Sequence, residues 1–188
     1  MANYSAAFGY DFYIVPVQNS EVASFDTAPN VDSTTGVASD ATVTYSNGVF
    51  TIGASTYAMD GTDPGIRLSS LTNAALETDT GSEEVYTYDD ETKGYSQAVA
   101  TTKSFSVSLA GIADFNDAAY KVLRLTEQNT VADGLRVAFK RVGPTGTTET
   151  IEGYGTLTGY TESNEVTSIV SWECTLTGYG PYHLTLAS

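Results

Sequence analysis

This sequence of 188 residues has few of the residue types that most often carry chemistry. It contains one cysteine, one histidine and five prolines, and only eight lysines and arginines against 23 aspartates and glutamates. Its single cysteine, Cys174, excludes an intramolecular disulfide, so we expect folding in a reducing cytoplasm. No apolar run approaches the roughly 20 residues of a membrane helix, and the first residues lack the pattern of an export signal. We therefore expect no membrane partner.

The inventory for catalysis is poor. His183 is the only histidine, and no nucleophile motif stands near it. Gly153 and Gly155 fall inside a predicted strand, not at a strand-to-helix turn, so they do not form a phosphate-binding loop. The acidic pair Asp114 and Asp117 fits the start of a helix better than a pair of catalytic carboxylates. We expect no enzymatic activity, no cofactor and no metal site.

The formal net charge is −15. Proteins that hold nucleic acid do so with clustered lysine and arginine, so this chain is expected to repel DNA. Two readings of that charge stay open. The charge can serve to keep a polyanion from binding, or it can merely keep the protein in solution.

The composition favours a mainly β fold. Aromatic residues make up 11% of the chain, thirteen of them tyrosine. The length fits one domain over residues 1–188, with a loop-rich first part at 1–100 and a strand-helix-strand-hairpin core at 101–182. We expect a β-sandwich or barrel of two packed antiparallel sheets, with one flanking α-helix and long loops.

The first hundred residues give three local predictions. Residues 10–17 read as an opening strand that Pro16 either ends or confines to the edge of a sheet. Asn47-Gly48 lies between two apolar alternating runs and predicts a tight hairpin. The polar stretches 26–40 and 60–81 are predicted to be long loops.

The core region changes its hydrophobic period twice. Residues 104–109 alternate strictly, with Phe105, Val107 and Leu109 on one face and serines on the other. Helical spacing follows over residues 114–129, where Asp114 is the predicted N-cap. Alternation then returns at residues 135–140.

A long hairpin is predicted from residues 151–160 and 168–179. In its second strand an apolar face contains Val170, Trp172, Cys174 and Leu176. The opposite face of both strands is polar. Its residues are Glu152, Thr156 and Thr158 on the first strand, and Ser171, Glu173, Thr175 and Thr177 on the second.

The order of these elements resembles the major tail tube proteins of long-tailed, siphovirus- or myovirus-like bacteriophages. The resemblance covers roughly residues 84–182. It depends on the strand at 104–109, the step Gly111-Ile112-Ala113-Asp114 into Ala118-Ala119-Tyr120, the string Glu152-Gly153-Tyr154-Gly155 and the closing Gly178-Tyr179-Gly180-Pro181.

That resemblance implies a virion structural protein that assembles in the host cytoplasm. Six copies would close into a ring, rings would stack into a tail tube, and double-stranded DNA would pass through without specific binding. Implied partners are further copies of the chain, a tape measure protein, a tail terminator, and a baseplate or sheath. The seven polar residues of the predicted hairpin are then the candidate lumen residues. The alternative is an acidic extracellular β-sandwich binding or adhesion module that holds calcium on its aspartates.

Overall fold

The computed structural model describes residues 10–18, 28–31, 43–46, 49–52, 55–58, 67–68, 70–86, 96–131, 134–143, 149–163 and 169–186. These ranges contain ten strands and one helix. The strands are β1 (Asp11–Gln18), β2 (Val43–Ser46), β3 (Val49–Ile52), β4 (Ser55–Ala58), β5 (Leu71–Tyr86), β6 (Ser96–Ile112), β7 (Leu135–Val142), β8 (Thr150–Ser163), β9 (Ser171–Gly178) and β10 (His183–Thr185), and the helix α1 is Ala118–Asn129.

Seven strands form one antiparallel sheet in the order β1-β7-β8-β9-β6-β5, with β10 paired to the first half of β8. The segment before β5 connects the two ends of this sheet. Leu68 N donates to Phe12 O of β1 at 2.9 Å, and Ser70 O accepts from Ile112 N of β6 at 2.9 Å. Strands β2, β3 and β4 form a second, smaller sheet. The predicted mainly β fold with one helix is confirmed.

The inner face of the curled sheet contains the core. Phe12 of β1 stacks on Phe139 of β7 with ring centroids 5.7 Å apart, and Phe105 of β6 lies 5.9 Å from Phe139. Two strands separate β6 from β7 in the sheet, so this contact requires the sheet to curl over itself. Each of these rings is at least 94% buried. Burial of such a side chain contributes about 1.5–3 kcal/mol.

The helix begins one turn later than predicted. Asp117 is its N-cap, and its side chain accepts from Ala119 N at 3.0 Å. Asp114, the predicted cap, instead accepts from Asn116 N at 2.9 Å and closes a turn before the helix. Phe115, which the helical spacing included, lies in that turn and is 55% exposed. Aspartate is a favourable N-cap residue at either position. The backbone hydrogen bond from Asp117 N to Asp114 O closes a turn over these residues, so the helix begins after Asp117.

The prediction of a loop over residues 60–81 is wrong from Leu71 onward. Strand β5 has 16 residues and pairs along its length with the 17-residue strand β6. Strand β9 accompanies β6 only from Ser106 to Ile112. The rest of the ribbon, residues 78–86 of β5 and 96–105 of β6, is a two-stranded arm with no further strand partner in the described part of the chain.

The other predicted strands are confirmed. β1 continues past Pro16 and is the end strand of the sheet, so of the two alternatives for this proline the edge position is confirmed. β2 and β3 pair on either side of Asn47-Gly48, although those two residues lie outside the described ranges. The long hairpin is β8 and β9. Of the predicted loop at 26–40, only residues 28–31 are described, and Val31 there is buried.

Candidate assembly surfaces

The outer face of four neighbouring strands is a continuous polar surface. Cross-strand register places the residues in rows, for example Glu77, Ser106, Thr177 and Thr156 across β5, β6, β9 and β8. We call this surface the polar face. Its residues are Asn73, Ala75, Glu77 and Asp79 of β5, Ser104, Ser106, Ser108 and Ala110 of β6, Ser171, Glu173, Thr175 and Thr177 of β9, and Thr156, Thr158, Thr161 and Ser163 of β8.

Hydrogen bonds from side chains connect β8 and β9 on the polar face. Thr158 Oγ1 lies 3.2 Å from Thr177 Oγ1 and donates to Thr175 O at 3.2 Å. Thr161 Oγ1 donates to Glu173 Oε1 at 3.2 Å. The three carboxylates on the face are Glu77, Asp79 and Glu173, and none of its sixteen positions is lysine or arginine. The face therefore offers hydroxyl groups and negative charge to whatever lies against it.

Six of the seven predicted residues lie on this face, all except Glu152. A bulge between Thr158 and Thr161 keeps the face continuous, because the chain there inserts one extra residue on β8. Gly159 has a φ of 64°, a left-handed conformation that favours glycine. Sequence reasoning missed the contribution of β5 entirely, because that strand was predicted as a loop.

Glu152 lies on the same side of β8 but is buried. Its carboxylate pairs with Lys140 of β7, Nζ to Oε1 2.9 Å, and Lys140 Nζ also donates to Val31 O at 3.4 Å. Glu152 is 8% exposed, and His183 of β10 is its cross-strand partner. The second oxygen of Glu152 and Nε2 of His183 are buried without a hydrogen-bond partner among the described residues. We leave Glu152 out of the polar face.

Arg136 marks the border of the polar face. Its guanidinium donates to Thr156 Oγ1 and lies 3.7 Å from the centre of the Tyr179 ring. Both interactions hold the cation beside the sheet, and the flat guanidinium lies over the ring of Tyr179. A positive charge next to the polar face is therefore engaged within the subunit.

The four-stranded part of the sheet has two open edges. β7 accompanies β8 only as far as Gly155, so residues 156–163 of β8 have no strand on that side among the described residues. β5 is the last strand of the order at the other edge. Open edges present unpaired backbone donors and acceptors, which readily pair with another strand.

A second polar cluster connects α1 to the β8-β9 hairpin. Tyr120 OH lies 2.7 Å from Tyr160 OH and donates to Glu162 Oε1 at 2.5 Å, and Tyr160 OH also donates to that oxygen. Arg124 lies 3.6 Å from the same oxygen. We call these four residues the helix latch. The ring of Tyr120 also packs 5.9 Å from Trp172 of β9.

The helix latch shifts the acidity of its members. Hydrogen bonds from Tyr120 and Tyr160 lower the pKa of Glu162, and Arg124 adds to the effect. Burial, followed by the hydrogen bond to Glu162, raises the pKa of Tyr120 and of Tyr160. The cluster is therefore one carboxylate held by two neutral phenols at ordinary pH.

A groove of about 480 Å³ lies on the exposed side of the helix latch. Lys121 and Arg124 give it positive charge, Leu125 and Tyr160 give it apolar surface, and Glu127 and Gln128 complete the lining. We call it the helix groove. Among the described residues, no three His, Cys, Asp or Glu side chains are placed to hold a metal ion. No helix in those ranges is long and apolar enough to cross a bilayer.

The fold defined by this curled sheet and flanking helix occurs in a virion particle. A chain in the solved structure of the virion of the native gene transfer agent (GTA) particle superposes with a TM-score of 0.51 at 16% identity, over 63% of this chain and 86% of that chain. This likeness confirms at the level of the fold what the resemblance to tail tube proteins predicted.

Two further solved structures are similar over larger or equal parts of the chain. The tail of an empty GTA particle has a TM-score of 0.48 at 16% identity, over 63% of this chain and 83% of that chain. The SPP1 tail tube has a TM-score of 0.49 at 11% identity, over 97% of this chain and 79% of that chain. No protein-family model and no curated protein matches the sequence.

Proposed function

We propose that this chain is the subunit of a phage-type tail tube, a virion structural protein without enzymatic activity. Copies close into six-membered rings, and stacked rings form the conduit through which double-stranded DNA leaves the particle. The observation that carries the proposal is the polar face, a four-stranded surface with three carboxylates and no cation. The fold shared with a virion protein supports it.

The open edges supply the contacts within a ring. Residues 156–163 of β8 in one copy pair with β5 of the next, so that the four-stranded segments join into one barrel lined by the polar face. The strand directions are compatible with this joining. In the order β8-β9-β6-β5 each strand is antiparallel to its neighbour, so β8 and β5 run in opposite directions. When two copies have the same orientation, β8 of one copy and β5 of the next are therefore antiparallel as well. A head-to-tail contact of this kind forms a closed ring when the rotation from one copy to the next, repeated around the ring, adds up to a full turn.

The polar face suits a conduit for physical reasons. DNA binds to proteins when lysine and arginine neutralise phosphates and release counterions. A wall of hydroxyl groups and carboxylates offers no such contact, so a polyanion near it is repelled and slides. The remaining expected partners, a tape measure protein, a terminator, and a baseplate or sheath, belong to this proposal and meet the tube at its ends or along its inside or outside.

Negative-stain electron microscopy of the purified protein at high concentration tests the assembly. We expect six-fold rings or hollow tubes. A protein that stays monomeric by light scattering at every concentration, also when mixed with the tail proteins of its own particle, contradicts the proposal.

Charge reversal on the polar face tests the conduit. We expect tubes of Glu173→Lys or Glu77→Lys to form normally, because both side chains are exposed, but to retard genome release from assembled particles. Added salt should restore the rate, since phosphate contacts weaken as the salt concentration rises. Val131→Lys is the matched control, because Val131 is 96% exposed at the end of α1 and away from the face. Unchanged release in both face variants would mean that this face does not line the lumen.

A further inference from the structure

The two-stranded arm is exposed at residues 82–85 and 98–104, beyond the buried ring of Phe105, and it has an unusual combination of side chains there. Its residues in the described ranges carry three carboxylates, Asp79, Glu83 and Glu84, against one cation, Lys103. Two valines on it are exposed, Val85 by 42% and Val99 by 49%.

Register places the acidic and apolar groups together. Val99 is directly opposite Glu83, and Val85 follows Glu83 by two positions, so these three side chains share one face of the arm. Two exposed valines beside a carboxylate on a protruding ribbon do not contribute to the core of their own subunit. Such a surface is typical of a contact with another molecule.

The helix groove has the complementary composition. Its cations Lys121 and Arg124 match the carboxylates of the arm, and its apolar residues Leu125 and Tyr160 match the valines. Lysine and arginine are scarce in this chain, with eight in total, and two of them line this groove together with a single carboxylate, Glu127. Complementary potentials of this kind set the register of a protein contact.

The arm cannot reach the helix groove of its own subunit. The groove lies at the Gly111 end of β6, because Gly111 is opposite Trp172, which packs against Tyr120 of α1. Val99 lies 12 residues away on the same strand, which corresponds to about 40 Å along an extended chain. The two surfaces are therefore at opposite ends of the molecule.

We propose that the far part of the arm, centred on Glu83, Val85 and Val99, docks in the helix groove of a second copy of this chain. The inference builds on the proposed tube and identifies the contact between successive rings. In this contact one end of a subunit binds the opposite end of the next subunit. Such a heterologous contact along one direction does not form a closed ring and generates an open stack of subunits. The arm extends about 30 Å beyond the point where β9 leaves β6, so its far part is well separated from the rest of its own sheet.

Cross-linking between two singly substituted proteins tests the contact. Val99→Cys copies and Gln128→Cys copies are mixed, allowed to assemble, and treated with a short bis-maleimide. We expect covalent dimers from the mixture and a loss of at least tenfold in dimer when either substituted copy assembles alone. The native Cys174 is buried and does not compete. Thr175→Cys replaces Gln128→Cys in the control mixture, because Thr175 lies on the polar face.

Charge exchange provides a second measurement. Glu83→Lys and Lys121→Glu should each reduce tube length or assembly rate by tenfold or more, and the combination of both should restore it. Lys121 is chosen because Arg124 also supports the helix latch. Circular dichroism and urea unfolding show whether each variant folds. Tubes that form without cross-links in the mixture overturn the arm contact and leave the tube standing, whereas a protein that never assembles counts against both.

Discussion

The helix latch provides the sharpest test of the structure, because one carboxylate accepts hydrogen bonds from two phenols. We consider the substitution Glu162→Gln, which keeps the shape of the side chain and removes its charge. Hydrogen bonds to a charged group contribute about 1.5–3 kcal/mol each and neutral ones about 0.5–1.5. Two bonds, from Tyr120 and Tyr160, lose this charge assistance. We expect the free energy of unfolding to fall by about 2 kcal/mol at pH 7.

The pH dependence of that loss identifies its cause. The pKa of Glu162 is lowered in the folded protein, so its contribution is fully present above the unfolded pKa of about 4.3. The contribution is lost as the pH falls through the lower, folded pKa. Urea unfolding of the unassembled subunit, followed by circular dichroism, should therefore show a difference between wild type and Glu162→Gln that is constant from pH 7 to 5 and shrinks below pH 4.

Two comparisons make the test specific. Glu173→Gln is the control, because Glu173 is an exposed carboxylate on the same hairpin with one bond from Thr161, and it should change stability by less than about 0.5 kcal/mol. Tyr160→Phe combined with Glu162→Gln should cost less than the sum of the two single changes. A loss that stays the same down to pH 3, or is fully additive with Tyr160→Phe, would refute the role of the charge.

Two further predictions concern the sheet. Burial raises the pKa of the Cys174 thiol to about 12, so maleimide labelling at pH 8 should be slower than for an exposed cysteine by on the order of a thousandfold. Labelling at the ordinary rate in native buffer, equal to that in denaturant, would contradict its burial. A Cβ at Gly111 would lie 2.7 Å from Ser70 O and 2.8 Å from the Trp172 ring, so Gly111→Ala should destabilise by about 1–3 kcal/mol. Urea unfolding measures this loss, and an unchanged midpoint would show that the strands do not approach so closely.

The sequence predicts best those strands that bury one face and expose the other. β9 and the inner part of β6 alternate strictly because their apolar residues enter the core and their polar residues do not. The arm beyond Phe105 shows no such alternation, because residues on both of its faces are exposed. Residues 71–86 contain three threonines and three glutamates and show no regular apolar alternation, and only their pairing with β6 shows that they are a strand.

The candidate surface was predictable in part for the same reason. Alternation assigns Thr156, Thr158 and Glu173 to one side of the hairpin, and the structure agrees. It cannot show what lies opposite a given residue across strands. Glu152 is buried because Lys140 of β7 and His183 of β10 flank it, and both pairings depend on register rather than on local pattern. The bulge at Gly159 likewise changes the side on which later residues of β8 lie.

The few cations of this chain also explain how its acidic surface arises. Among the lysines and arginines of the described ranges, Arg67 pairs with Asp11, Arg124 with Glu162, Lys140 with Glu152 and Arg141 with Glu149, and Arg136 lies over the ring of Tyr179. Each pairing holds a positive charge within the subunit, so unpaired carboxylates dominate the field outside it. The proposed conduit for DNA would require this arrangement, since one accessible row of cations on the polar face would bind phosphate in every ring of the proposed stack.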